Sequence, residues 1–167
     1  GKGVKIIYSM DELVTQMEKL KADFPEGAKR IFMEEYLEGG ELSLISLWDG
    51  KSLLHFPPAR DFKRLSLSKD SPNTGGMGSY CPVELTEVQQ DRLDLYKTKL
   101  NFMLSDEKAD FIGFIYSGLI WAKNDWYVLE YNMRPGDPET QSILNQLDTD
   151  LLYILNVAIY QKLDEIK

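Results

Sequence analysis

Residues 41–48, ELSLISLW, alternate polar and apolar side chains and are followed at once by Asp49-Gly50. That alternation has the two-residue period of a strand with one buried face. Asp-Gly is the strongest short signal for a hairpin, because the favoured tight turns need positive φ at their central positions. Residues 52–56 therefore read as the returning strand. A second hairpin is readable further on: residues 111–122 are β-rich, Asn124-Asp125 is a turn, and residues 126–132 return. Two hairpins need layers to cover their apolar faces, so whatever else the chain contains must pack on a sheet.

The covering layers are legible as helices. Ser9 reads as a helix cap with Glu12 completing a capping box, and Leu13, Met17 and Leu20 recur at helical spacing until Pro25 and Gly27 end the element. Residues 84–104 are helical, with Val88, Leu93, Leu95, Tyr96 and Leu100 as apolar positions. Residues 140–147 and 150–163 read as two more helices, the last with Leu151, Ile154, Leu155, Ala158 and Ile159 on one face. Residues 4–8 and 30–36 read as short strands, with Gly39-Gly40 as a turn after the second. The mixture gives an α+β class.

Two stretches, 57–82 and 133–138, have no periodicity. A loop as long as the first is uncommon inside a compact domain and is usually functional. Charge limits what such loops can bind. With 19 basic and 27 acidic residues the net charge is −8, which argues against general nucleic-acid or anionic-membrane binding. A phosphate ligand would need a local cluster of cations and backbone N–H groups. One histidine and one cysteine exclude a Cys/His zinc cluster, a cysteine–histidine nucleophile pair and an internal disulfide, and make a reducing cytoplasm the simplest home. His55, in a strand, reads as a satisfied structural residue. The 167 residues fit one domain or one lobe of a larger enzyme, and the opening Gly1-Lys2-Gly3-Val4, without methionine, reads as the interior of a longer protein.

Five segments carry groups suited to chemistry. In a strand over 126–132, Glu130 and Asn132 share a face, while Leu129 and Tyr131 point toward the core. A carboxylate beside an amide oxygen is a hard ligand pair suited to Mg²⁺, although any exposed strand face gives the same pattern. Arg134-Pro135-Gly136-Asp137-Pro138-Glu139 is a stiffened turn with one cation and two acids: a site, or a connection in which Asp137 caps the next helix. Asn73-Thr74-Gly75-Gly76-Met77-Gly78 can bring N–H groups to an anion, or is a flexible turn. Arg60-Asp61-Phe62-Lys63-Arg64 is an anion site or a solvated charge run. Residues 34–41 could offer backbone groups to a base and an acid to a ribose, or are a strand and turn with solubilising acids.

Taken together and in this order, the segments resemble the phosphoribosylamine–glycine ligase family of the ATP-grasp superfamily. The resemblance is carried by GKGV at 1–4, EEYLEGGE at 34–41, DFKR at 61–64, PNTGGMG at 72–78, LEYN at 129–132 and GDPETQ at 136–141, and runs from end to end of the chain. It implies the carboxy-terminal half of an ATP-grasp fold, a mixed or antiparallel sheet with hairpins flanked by helices. Residues 1–167 would form a single subdomain, with an amino-terminal domain, the first part of the ATP clamp and a carboxy-terminal domain elsewhere in the parent.

The implied activity is ATP-dependent ligation of glycine to 5-phosphoribosylamine through glycyl phosphate, in purine biosynthesis. Implied ATP contacts are Lys2, Glu34, Glu35, Tyr36, Leu37 and Glu41. Glu130 and Asn132 would hold Mg²⁺, or Mn²⁺ in its place. Lys63 and Arg134 would stabilise the transferring phosphate or the acyl phosphate. Asp61, Asn73, Gly75, Gly76, Asp137 and Glu139 would belong to the acceptor side. Expected partners are those small molecules, with neither nucleic acid nor membrane, in a cytoplasmic monomer or weak dimer. Arg60, Phe62, Ser71 and Pro135 depart from the family pattern, which keeps open a carboxylate–amine ligase with a different acceptor; an amino-terminal portion lying elsewhere in the parent keeps open a catalytically inactive nucleotide-binding fragment.

Overall fold

The computed structural model of the protein describes residues 4–66, 71 and 74–166. Its centre is a four-stranded antiparallel sheet. Strands β1 (Gly40–Trp48) and β2 (Leu53–His55) form the first hairpin, and the fifth and sixth strands of the chain form the second. Between the hairpins lie β3 (Arg60–Asp61) and β4 (Ser79–Tyr80), which pair with each other. Strands β5 (Gly113–Ala122) and β6 (Asp125–Asn132) complete the main sheet in the order β2-β1-β5-β6. Helix α1 (Met10–Asp23) precedes the sheet and buries no residue, while α2 (Glu87–Asp106), α3 (Glu139–Leu144) and α4 (Leu151–Ile159) flank the strands.

β1 is expected to be half-buried, but it is buried on both faces from Leu42 to Trp48. It is an inner strand of the sheet, and a helical layer covers each side. On one face Leu42, Leu44, Leu119 and Trp126 pack with Leu93 of α2. On the other, Ile45, Leu47, Phe56 and Tyr116 pack with Ile143 of α3 and with Ile154 and Ala158 of α4. The serines that supply the alternation are therefore interior, and each is satisfied there: Ser46 Oγ lies 2.7 Å from His55 Nδ1, which makes His55 the structural residue expected.

The turns follow their chemistry. Asp49 is fully buried, and its carboxylate accepts from the backbone N–H groups of Lys51 (2.8 Å), Ser52 (2.7 Å) and Leu163 (3.0 Å). It thus shapes the first hairpin loop and ties the chain's last turn to it. Lys123 and Asn124 both take positive φ between β5 and β6, as a tight hairpin requires. α1 starts at Ser9, whose side chain accepts from Glu12 N, while the Glu12 carboxylate reaches back to Tyr8 N. α2 starts later than expected because Thr86 and Gln89 form a capping box. Asp150 caps α4, which ends at Ile159, ahead of Gln161 at φ +58.

Two expected strands are absent. Residues 4–8 and 30–36 form no ladder, and Val4, Tyr8, Phe32 and Met33 are exposed. A β-rich run becomes a strand only where a neighbour takes its backbone groups, and among the described residues neither segment has one. Conversely, the described residues of the 57–82 stretch are tied to the sheet. Ala59 exchanges backbone hydrogen bonds with Ser43 (2.8 and 2.9 Å), so the segment is laced to β1. Among the described residues no helix is long and apolar enough to cross a membrane.

Candidate functional site

The register of the sheet builds the site. Ser43 of β1 stands opposite Gly118 of β5, and Gly118 opposite Glu130 of β6. Residues paired directly across a ladder project to the same side. Two residues along, Ile45, Tyr116 and Asn132 form the next row. Glu130 and Asn132 therefore share one face, as their spacing predicts, and it is the face that carries α3 and α4.

They reach that face through a β-bulge. Gly118 pairs with Glu130 but Leu119 pairs with Val128, so Leu129 is an extra residue. Without it, Glu130 would project to the α2 side with Val128. Leu129 is consequently not a core residue; it is 42% exposed. Tyr131 does turn toward α2, where its hydroxyl meets that of Tyr96 at 3.2 Å, but on this edge strand it stays 45% exposed. The expectation that both point into the core fails because β6 is an edge.

The Lys63 cluster sits on the same face, beside β1. The Lys63 ammonium pairs with the Glu41 carboxylate and, at 3.1 Å, with Asp61 Oδ1. Asp61 is nearly buried, with its side chain 4% exposed. Burial alone would lower the Lys63 pKa; the hydrogen bond and charge of Glu41, then those of Asp61, hold it well above the usual range. The segment from 60 to 64 is thus no loose charge run. Arg60 Nε donates to the Glu41 carbonyl at 2.8 Å and Nη1 to the Tyr80 hydroxyl at 3.2 Å.

Glu139 opens α3 and is 3% exposed. Ser43 Oγ donates to Glu139 Oε1 at 2.8 Å, and the Tyr116 hydroxyl lies 2.9 Å from Ser43 Oγ. Since the single Ser43 proton goes to the carboxylate, Tyr116 donates to Ser43. Burial pushes the Tyr116 hydroxyl above its ordinary range, and the Glu139 charge adds to it.

Two glycines let the loops close. Gly76 takes φ +130, and a Cβ there would fall 2.4 Å from Pro138 Cδ. The glycine-rich loop and the loop after β6 are therefore in direct contact, and Ser79 Oγ reinforces this by donating to the Pro138 carbonyl at 2.7 Å. A Cβ at Gly136 would fall 2.6 Å from Glu139 Oε2, so that carboxylate rests on bare backbone.

Other expected site residues are less engaged. Arg134 is exposed and, among the described residues, donates to its neighbour's carbonyl, Pro135 O, at 2.9 Å. Asp137 is exposed and accepts from Gln141 Nε2 at 2.9 Å; it does not cap α3, whose cap residue is Pro138. Gly75 has open space where a Cβ would be. Glu34, Glu35 and Tyr36 are exposed and Leu37 is half-buried, in a segment outside any helix or strand that leads into β1. Glu35 pairs with Lys123 of the β5–β6 turn, and the Tyr36 ring meets that of Tyr8 edge-on at 6.4 Å. Lys2 and Asn73 lie outside the described residues.

Sequence reasoning missed Ser43, Tyr116 and Gly118. Only Gly118 left a signal, since a glycine inside a strand marks a bulge or a close approach. The assembled face can hold a cation on Glu130 and Asn132 and present Lys63 to an anion. Among the described residues no group of three or more His, Cys, Asp or Glu could hold a metal. A cation here would take two protein oxygens and complete its shell with other oxygen ligands.

Comparison with known proteins places the chain in a family. The model of the phosphoribosylglycinamide synthetase ATP-grasp (A) domain matches residues 1–140. Phosphoribosylamine–glycine ligase of Clostridium acetobutylicum is 37% identical over 99% of the chain, which spans 41% of that relative. The trifunctional purine biosynthetic protein adenosine-3 of Drosophila melanogaster is also 37% identical over 99% of the chain, which spans 13% of it. The crystal structure of phosphoribosylamine–glycine ligase from Thermotoga maritima superposes with a TM-score of 0.78 at 33% identity, covering 96% of this chain and 42% of that one. The fold is thus part of an ATP-grasp fold, and the chain belongs to the phosphoribosylglycinamide synthetase ATP-grasp domain family.

Proposed function

We propose that this chain is the carboxy-terminal part of the ATP clamp of a ligase that joins glycine to 5-phosphoribosylamine, with amino-terminal and carboxy-terminal domains elsewhere in the parent. ATP-grasp enzymes use ATP and a divalent metal ion. The observation that carries the reading is the single sheet face on which Glu41, Glu130 and Asn132 converge with Lys63 and Glu139. Phosphoryl transfer needs positioning and charge neutralisation more than a protein nucleophile, and this face offers both.

Glu130 and Asn132 would hold Mg²⁺, or Mn²⁺ in its place. The donor set fits: two hard oxygens on one face, with bare backbone at Gly118 beside Glu130. When bound, the cation neutralises phosphate charge and acts as a Lewis acid. Lys63 would release Glu41 to stabilise transferring phosphate, leaving Glu41 to reach the ribose. The backbone of Glu34, Glu35, Tyr36 and Leu37 would receive the adenine, with Lys2 near the phosphates. Asp61, Asn73, Gly75, Gly76, Asp137 and Glu139 would form the acceptor side, and Arg134 would meet the acyl phosphate. The expected setting is a cytoplasmic monomer or weak dimer that binds small molecules and neither nucleic acid nor membrane.

The test is ADP release by the full-length parent. Release that requires both glycine and 5-phosphoribosylamine is the expected result. Release with a different acid or amine and not with this pair would overturn the substrate assignment while leaving the fold untouched.

A further inference from the structure

We propose that Ser43 and Tyr116 are positioning residues that hold the Glu139 carboxylate as the counter-charge for the ammonium group of an amine substrate. Three elements meet at this point: Ser43 from β1, Tyr116 from β5 and Glu139 at the start of α3. The carboxylate is buried, Ser43 Oγ donates to it at 2.8 Å, and Tyr116 stands 2.9 Å behind Ser43. Both donors are neutral. No ion pair among the described residues reaches Glu139; the nearby cation, Lys63, is taken by Glu41 and Asp61.

A buried carboxylate without a cation is costly to keep. If the contact served folding alone, a glutamine would accept the same Ser43 hydrogen bond at lower desolvation cost. The charge is explained if a cation arrives with the ligand. Glu139 Oε2 lies against bare backbone, since a Cβ on Gly136 would fall 2.6 Å from it. An ammonium group beside this carboxylate would sit on the same sheet face as Lys63 and Glu130. The identity of the amine substrate rests on the ligase reading, with glycine as the probe.

The experiment compares Ser43→Ala, Ser43→Thr and Glu139→Gln with wild type in the full-length parent. Ser43→Ala is expected to raise KM for glycine roughly tenfold, the loss of one hydrogen bond to a charged group, with KM for ATP within about twofold. Ser43→Thr, which keeps the hydroxyl, recovers most of that loss. Glu139→Gln raises KM for glycine and melts at or above the wild-type temperature. A parallel rise in KM for ATP, or clearly lower melting of Glu139→Gln, makes the contact structural and overturns the inference. If wild type releases no ADP with glycine and 5-phosphoribosylamine together, the ligase reading has failed, and a crystal structure of Ser43→Ala decides the positioning role alone. A Glu139 carboxylate displaced from β1 upholds it; an unmoved carboxylate overturns it.

Discussion

Gly118 stands opposite Glu130, and a Cβ at Gly118 would lie 3.2 Å from Glu130 Cγ and 3.4 Å from Tyr116 Cε1. The missing side chain gives the Glu130 stem its lane across β5. The bulge at Leu129 sets which face Glu130 uses, and the glycine sets how closely it lies on the sheet.

Gly118→Ala should therefore act on Glu130 more than on the fold. The crowded atom belongs to an exposed, flexible side chain that can move aside. Stability should change by less than about 1 kcal/mol, since such a shift leaves the core packing intact. Calorimetric affinity of the full-length parent for Mg-ATP should fall by roughly tenfold, for the loss of one charged ligand contact. Unchanged affinity would show that Glu130 is not tied to this position.

Gly76→Ala should part the two loops. At φ +130 any side chain is strained, and the new Cβ would meet the rigid ring of Pro138 at 2.4 Å. A destabilisation of roughly 1–3 kcal/mol is expected, with faster proteolysis around residues 133–138. Denaturant melts and limited digestion check this; wild-type behaviour in both would mean that the loops do not depend on their contact.

These two glycines also mark the limit of what the sequence conveys. Both hairpins, the α1 cap and the helical layers are local, so periodicity and turn residues reveal them. β1 reads as half-buried because alternation reports side-chain polarity, whereas its interior serines are satisfied by His55, Tyr116 and Glu139 from distant parts of the chain. The 4–8 and 30–36 segments have strand composition, but pairing depends on a partner that composition does not supply. The Glu130–Asn132 pair is legible from spacing; the bulge that aims it is a property of the ladder. Ser43 and Tyr116 carry no signal of their own, since their role exists only once β1, β5 and α3 meet.

His55 predicts a pH dependence of stability. Burial, and then the charge of Lys97, lowers its pKa from 6.5 to about 4. As pH falls, the unfolded chain takes up the proton first. The stabilisation is therefore complete above pH 6.5 and is lost as pH falls from 6.5 toward about 4, by roughly 2–3 kcal/mol. Denaturant titrations of wild type and His55→Gln over that range check the sign: the variant should show a flatter slope between pH 6.5 and 4. An equal slope would mean that His55 is not the group responsible.

Glu130→Gln keeps the shape and removes the charge of an exposed side chain. The folded state should be unaffected within about 0.5 kcal/mol, as for most surface changes. ADP release by the full-length parent should fall at least about a hundredfold, because phosphate charge loses its neutralising cation. Near-normal turnover would show that the cation is held elsewhere.

The proposed chemistry turns on a cation at β6. A crystal structure of the full-length parent with magnesium and a non-hydrolysable ATP analogue tests it directly. The predicted result is a magnesium ion bound to the side-chain oxygens of Glu130 and Asn132, with the triphosphate beside it and the Lys63 ammonium released from Glu41. A nucleotide and metal bound away from these two side chains, with Lys63 still paired to Glu41, would contradict it.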